Sequence, residues 1–219
     1  MLGIDTIIYD WDGVFVDPKD LFWKSYNHLY DVGMSRLHFE RREDFLDFFD
    51  TDWKNNLAKM GLDTEAAQEE SITEYRRYFM ANRKLLVYNK EMGDAFLRLK
   101  SFGFKQGIAS NISNLDIIYE PLVKYGLHFD AVVNVDMAKK MKPDPTSILQ
   151  CMDMMDVGAS NCAYVGDSIN DMKAGLAACV SLNIGIEWGI ERPDNLVLAG
   201  ADVIAKNPKQ LVEIVMDKR

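Results

Sequence analysis

One apolar, β-branched run opens the chain at residues 4–9, and nothing like it returns until after residue 104. The later runs fall at residues 105–109, 131–135, 162–165, 180–184 and 202–205. Between them, helical patterns occupy roughly residues 113–125, 145–156, 169–178 and 208–217. Short apolar strands alternating with helices of this size specify βαβ units, and βαβ units specify a parallel sheet buried on both faces. The reading is an α/β chain with a Rossmann-like core, interrupted straight after its first strand.

The interruption, residues 17–86, carries helix signals and no convincing strand. Pro18 is suited to open a helix and Gly33 to interrupt it. A second helix fits 38–49; Thr51 or Asp52 can cap a third that ends near Gly61; Thr64 then caps a long one with Ile72, Tyr75 and Phe79 on one face. A segment this long is no loop. The expectation is a small all-helical cap domain at 17–86, lying over the C-terminal edge of the sheet, on a core formed by 1–16 and 87–219.

Charge narrows the function classes. The chain has 34 Asp plus Glu against 25 Lys plus Arg, a net charge of -9. Nucleic acid demands a basic surface, so it is not the expected partner. A small anion remains open, because a local cationic site can sit in an acidic protein. Cys151, Cys162 and Cys179 have no metal-ligand spacing and read as thiols of a reducing compartment. No apolar run is long enough to span a bilayer, and no leader-like segment opens the sequence. A cytoplasmic monomer or homodimer is expected.

Four short motifs carry chemistry. Asp10-Trp11-Asp12-Gly13-Val14 closes the first strand; residues two apart on extended chain point the same way, so both carboxylates can address one site. Alone this means little, since D-x-D-G arises by chance in roughly one chain of this length in 25. Ser110-Asn111 closes the second strand, where a hydroxyl and open N–H groups suit a phosphate oxygen, or merely a turn. Lys142 is held between Met141 and the Pro143-Asp144-Pro145 segment, a stiffened place for a cation. Gly166-Asp167-Ser168-Ile169-Asn170-Asp171 opens a helix; Asp167 and Asp171 can face one cation together, although Ser168-x-x-Asp171 is equally a capping box. All four lie at the C-terminal ends of strands, where open α/β sheets bind ligands.

Together and in this order, DWDGV, the serine of IASN, the lysine of KPDP and GDSIND resemble the haloacid dehalogenase superfamily along the length of the chain. The tail, with Trp188-Gly189 and Gly200-Ala201-Asp202, is similar to phosphoglycolate-phosphatase-like members, and the helical insertion looks like that branch's cap. The resemblance implies a phosphatase acting on a small-molecule phosphate monoester, phosphoglycolate-like or a sugar phosphate. It implies Asp10 as nucleophile and Asp12 as general acid and base, with Ser110, Asn111 and Lys142 on the phosphoryl oxygens. It also implies Mg²⁺ held through Asp10, Asp12, Asp167 and Asp171. The family's dehalogenases lack the second aspartate, so Asp12 argues for phosphate chemistry. Val14, where threonine is commoner, and Pro18 depart from the usual phosphatase motif; the valine also resembles the β-phosphoglucomutase branch, which makes a phosphomutase the alternative. An inactive binding or regulatory relative is the non-enzyme alternative, although every expected aspartate is present. No G-x-x-x-x-G-K-[ST] or G-x-G-x-x-G loop supports an NTPase or a dinucleotide enzyme.

Overall fold

The computed structural model describes residues 3–219. It divides into two compact units, residues 17–87 and residues 1–16 with 88–219. The larger unit is built on strand β1 (Thr6–Tyr9). The chain then leaves through β2 (Val16–Asp17) and, after the insertion, returns through β3 (Val87–Tyr88), the two forming a small ladder of their own.

The smaller unit holds α1 (Lys19–Asp31), α2 (Arg42–Phe48), α3 (Trp53–Lys59) and α4 (Glu65–Ala81). Its boundaries follow local chemistry. The Asp52 side chain accepts from the Lys54 N–H and Thr64 from the Ala67 N–H, satisfying donors that the first helical turn leaves orphaned. Its core is aromatic: Tyr26, Phe39 and Phe45 are buried with Leu29, Leu57 and Met60. Phe45 alone touches Tyr26, Phe39 and Phe49 at ring separations of 5.4–5.5 Å.

After β3 the larger unit continues with α5 (Lys90–Ser101), β4 (Lys105–Ala109), α6 (Asp116–Tyr125), β5 (Ala131–Val133), α7 (Val135–Ala138), α8 (Thr146–Met155), β6 (Cys162–Gly166), α9 (Ile169–Ala177), β7 (Leu182–Ile186), α10 (Pro193–Leu198), β8 (Val203–Ala205) and α11 (Pro208–Asp217). The strands form one parallel sheet in the order β5-β4-β1-β6-β7-β8. The strand order reverses beside β1, so β1, β4 and β6 frame the crevice at which such sheets hold ligands. Helices cover both faces. Ile8 joins Ile148, Cys151 and Met152 of α8 and Ala174 of α9 on one side. On the other, the Tyr9 hydroxyl donates to Gln106 Oε1 at 2.7 Å, and Gln106 Nε2 donates to the Phe96 carbonyl of α5 at 3.1 Å. Among the described residues no helix is long and apolar enough to cross a membrane.

Helix α5 was not anticipated from the sequence pattern. Gly93 sits in its first turn and masks it, but a Cβ there would lie 2.0 Å from the Tyr88 hydroxyl, so the tyrosine packed against the helix requires the glycine.

Candidate active site

Asp10, Ser110 and Asp167 stand where β1, β4 and β6 end, whereas Lys142 follows the short helix α7 and Asp171 lies in the first turn of α9. Asp10 follows β1 with its N–H bonded to the Val165 carbonyl of β6, and the chain then turns through Gly13 at φ +76. That turn is obligatory for a second reason: a Cβ on Gly13 would lie 1.8 Å from Asp167 Oδ2. Gly189, after β7, closes the same wall, since its Cβ would meet Asp167 at 2.2 Å. The next N–H along, that of Ile190, donates to Asp167 Oδ2 at 2.8 Å. Two glycines distant in sequence thus make room for one carboxylate.

Asp10, Asp167 and Asp171 present carboxylate oxygens within 4.8 Å of one another, all three residues buried. Lys142, 4% exposed, reaches into them: its ammonium lies 2.7 Å from Asp10 Oδ1 and 2.6 Å from Asp171 Oδ1. It also donates to the Ala109 carbonyl at 3.0 Å and to the Tyr164 hydroxyl at 3.1 Å. The Lys142 backbone is clipped by Asn111, whose Oδ1 accepts its N–H at 2.8 Å. Asn111 therefore fixes the lysine's position. Ser110 is 2% exposed, and its Oγ accepts the Ile112 N–H at 3.3 Å.

Asp171 is the most heavily engaged carboxylate. Oδ1 accepts from Lys142 and from the Tyr164 hydroxyl at 2.9 Å; Oδ2 accepts from Ser168 Oγ at 2.6 Å and from the Ser168 and Asp167 N–H groups at 3.1 and 3.3 Å. The Asp171 N–H donates back to Ser168 Oγ at 3.1 Å, completing the capping box of α9. Asp12 Oδ1, in contrast, is buried with no hydrogen-bond partner, while Asp10 Oδ1 faces the Lys142 ammonium.

The electrostatics follow from one cation among four carboxylates. Burial drives Asp10 upward; Lys142 opposes this and Asp171 adds to it, leaving Asp10 at about 6. Burial and the Asp10 charge push half-buried Asp12 to about 8. Burial, Asp171 and Asp10 hold Asp167 well above the usual range. Burial would lower Lys142, but Asp10 and Asp171 more than reverse this, so it stays charged.

A divalent cation fits this set on two observations. The donors are hard carboxylate oxygens clustered within a few ångströms, and Asp12 Oδ1 beside them is buried without a partner, a costly state for a carboxylate. Sequence reasoning missed Tyr164 and the role of Gly189. The one clue to Tyr164 was a lone hydroxyl in a central apolar strand, which must find a partner. Nothing local announces that a glycine after β7 will face a carboxylate after β6.

A parallel sheet with buried aspartates at its switch point defines an α/β protein with a ligand site at its strand ends. The sequence profile of the haloacid dehalogenase-like hydrolases matches residues 7–183, and the chain belongs to that family. Across 98% of both chains it is 26% identical to the pyrophosphatase PpaX of Listeria monocytogenes. Its fold superposes with a TM-score of 0.82 on a Lactobacillus plantarum structure provisionally described as a phosphoglycolate phosphatase, at 17% identity over 96% of this chain and 99% of that one. A Bacteroides vulgatus structure provisionally described as a β-phosphoglucomutase superposes at 0.79, with 15% identity over 99% of this chain and 90% of that one. At such identities the two structures bear on fold alone. Family and full-length relative make this chain a phosphatase of the haloacid dehalogenase class.

Proposed function

We propose that the protein hydrolyses small-molecule phosphate monoesters, with Mg²⁺, through a phosphorylated Asp10. The observation that carries the reading is the pair of buried carboxylate oxygens on Asp10 and Asp12 at one strand end, the first against a buried lysine and the second without a hydrogen-bond partner. Their environments push the two groups apart: at neutral pH Asp10 is ionised and Asp12 holds its proton. An Asp10 oxygen attacks phosphorus, the bond from phosphorus to the ester oxygen breaks, and Asp12 passes its proton to that oxygen as the alcohol leaves. Water then attacks the phosphorus; Asp12, now ionised, takes its proton, and Asp10 is released with inorganic phosphate. Lys142 and Ser110 hold the phosphoryl oxygens, and Asn111 holds Lys142. Mg²⁺, held by the side chains of Asp10 and Asp167 and the carbonyl of Asp12, would offset the repulsion between an anionic nucleophile and an anionic ester. Asp171, its oxygens already occupied, serves as counter-ion to Lys142 and anchor of the loop before α9.

Phosphate release from a panel including phosphoglycolate, sugar phosphates, an aryl phosphate and inorganic pyrophosphate tests the reading; pyrophosphate is included because the relative's name points to it. Release should require Mg²⁺ and stop in chelator. Full activity in excess chelator would refute the site, and conversion of a hexose 1-phosphate to its 6-phosphate with little phosphate release would establish the mutase instead.

A further inference from the structure

The turn that follows β1 carries Asp12 and closes on itself. The Trp11 carbonyl accepts the N–H groups of Val14 at 3.3 Å and Phe15 at 2.9 Å, and the Gly13 N–H donates to the Val16 carbonyl at 2.8 Å. The Trp11 and Phe15 rings stack with centroids 5.3 Å apart. Residues 11–16 are thereby tied into one unit. Asp12 Oδ1 has no hydrogen-bond partner, so no donor fixes that oxygen and its aim comes from the backbone beneath it. Val14 in the same turn is fully buried, and a buried carbonyl must find a donor. The donor comes from 174 positions away: the Trp188 indole N–H reaches the Val14 carbonyl at 3.2 Å.

Trp188 is a fixed point, because the chain is anchored on both sides of it. Before it, the Glu187 N–H donates to the Ala205 carbonyl of β8 at 3.0 Å. After it, the Ile190 N–H donates to Asp167 Oδ2 at 2.8 Å and the Glu191 N–H to the Asp167 carbonyl at 3.2 Å. The turn and this loop press on one carboxylate, since a Cβ on either Gly13 or Gly189 would strike Asp167.

We infer that Trp188 is a positioning residue whose indole N–H pins the Val14 carbonyl and so sets where Asp12 delivers its proton to the leaving oxygen. The indole acts through the turn and not on the reacting atoms. Without it the turn keeps its internal bonds but loses this outside anchor, and a proton donor held slightly off its line serves poorly. The loss falls on esters whose alcohol must be protonated as it departs. The inference rests on the reading of Asp12 as general acid.

Trp188→Phe keeps a flat apolar ring and removes the donor. Two ring-bearing esters separate positioning from packing: benzyl phosphate, whose departing alkoxide is strongly basic, and 4-nitrophenyl phosphate, whose phenolate leaves with little help. With saturating Mg²⁺, kcat/KM should fall roughly tenfold or more on the benzyl ester and stay within about twofold on the nitrophenyl ester. An equal fall on both, or no fall on either, would overturn the inference. A second measurement needs neither substrate nor metal. In wild-type protein carrying ¹⁵N-labelled tryptophan, the Trp188 indole signal, assigned through its own backbone, should exchange with solvent at least about tenfold more slowly than free tryptophan, the worth of one hydrogen bond. Exchange as fast as the free indole would overturn the inference, whether or not Trp188→Phe folds. Failure of the underlying reading shows separately, as an Asp12→Asn variant that keeps the wild-type ratio between the two esters.

Discussion

The two units treat buried polarity in opposite ways. In the helical unit, buried Asn56 donates to the Tyr26 hydroxyl at 3.0 Å and to the Asp50 carbonyl at 2.6 Å, while its Oδ1 accepts the Asp50 N–H at 2.8 Å. The unit's unpartnered buried atom is a neutral hydroxyl, Ser25 Oγ. Its charged groups lie outward and find partners: Arg77 and then His28 hold Glu74 down at about 2. The sheet unit does the reverse: it crowds Asp10 and Asp12 around one buried lysine, both above the usual carboxylate range and Asp12 Oδ1 buried without a partner. Buried carboxylates held at raised values are costly, and such groups cluster where chemistry is done. The contrast therefore separates a region optimised for packing from one optimised for chemistry.

The strongest way to break the contrast is to swap what each region loses. Asp10→Asn removes the attacking charge and one source of repulsion at once. Activity should fall by at least about 10³-fold, while the thermal midpoint stays level or rises. Residual activity within tenfold of wild type, or a collapsed fold, would end the argument. Phe45→Ala should do the converse. Phe45 is fully buried among aromatic rings, so truncation should cost about 3–5 kcal/mol. Denaturant unfolding followed by tryptophan fluorescence would register that loss, while Mg²⁺-dependent cleavage of an aryl phosphate survives at low temperature. If Phe45→Ala silences that cleavage as completely as Asp10→Asn does, the two regions are not separable.

What the sequence made legible divides along a related line. Strands β1, β4 and β6 and helices α8, α9 and α11 could be read within a few residues, because periodicity, caps and bounding Pro and Gly are local signals. The aspartates, Ser110 and Lys142 were visible because each sits beside such a signal. The partnerships were not. Asn111 suggested a phosphate ligand, yet its Oδ1 holds the backbone of a residue 31 positions on. Asp171 suggested metal or cap, and the structure shows its oxygens divided between the cap and Lys142. The short helix α10 and the Gly93-interrupted α5 escaped because length and glycine hid them, and their reasons for existing are tertiary.

The smallest expected effect sharpens the contrast through pH. An ordinary aspartate titrates near 3.9, so raised values of about 6 for Asp10 and about 8 for Asp12 mean that the folded protein holds protons which the unfolded chain has released. Stability then has a negative slope with pH wherever the folded state binds more protons. Their contribution is complete below about pH 4 and lost by about pH 8. In the helical unit the sign is opposite: Glu74, lowered to about 2, and Asp50, also lowered, add stability above the unfolded value that disappears as pH falls toward 2. The two windows barely overlap, which makes them separable. In chelator, the melting temperature should fall by several degrees or more between pH 5 and 8, as the folded protein gives up protons that the unfolded chain has already released. Asp12→Asn should flatten the decline, since the amide carries no proton to lose. Saturating Mg²⁺ should flatten it too, because a cation bound to the folded state replaces the protons as counter-charge. A midpoint that climbs from pH 5 to 8 in chelator would mean that the buried carboxylates are already paired, and the claimed difference between the regions would disappear with it.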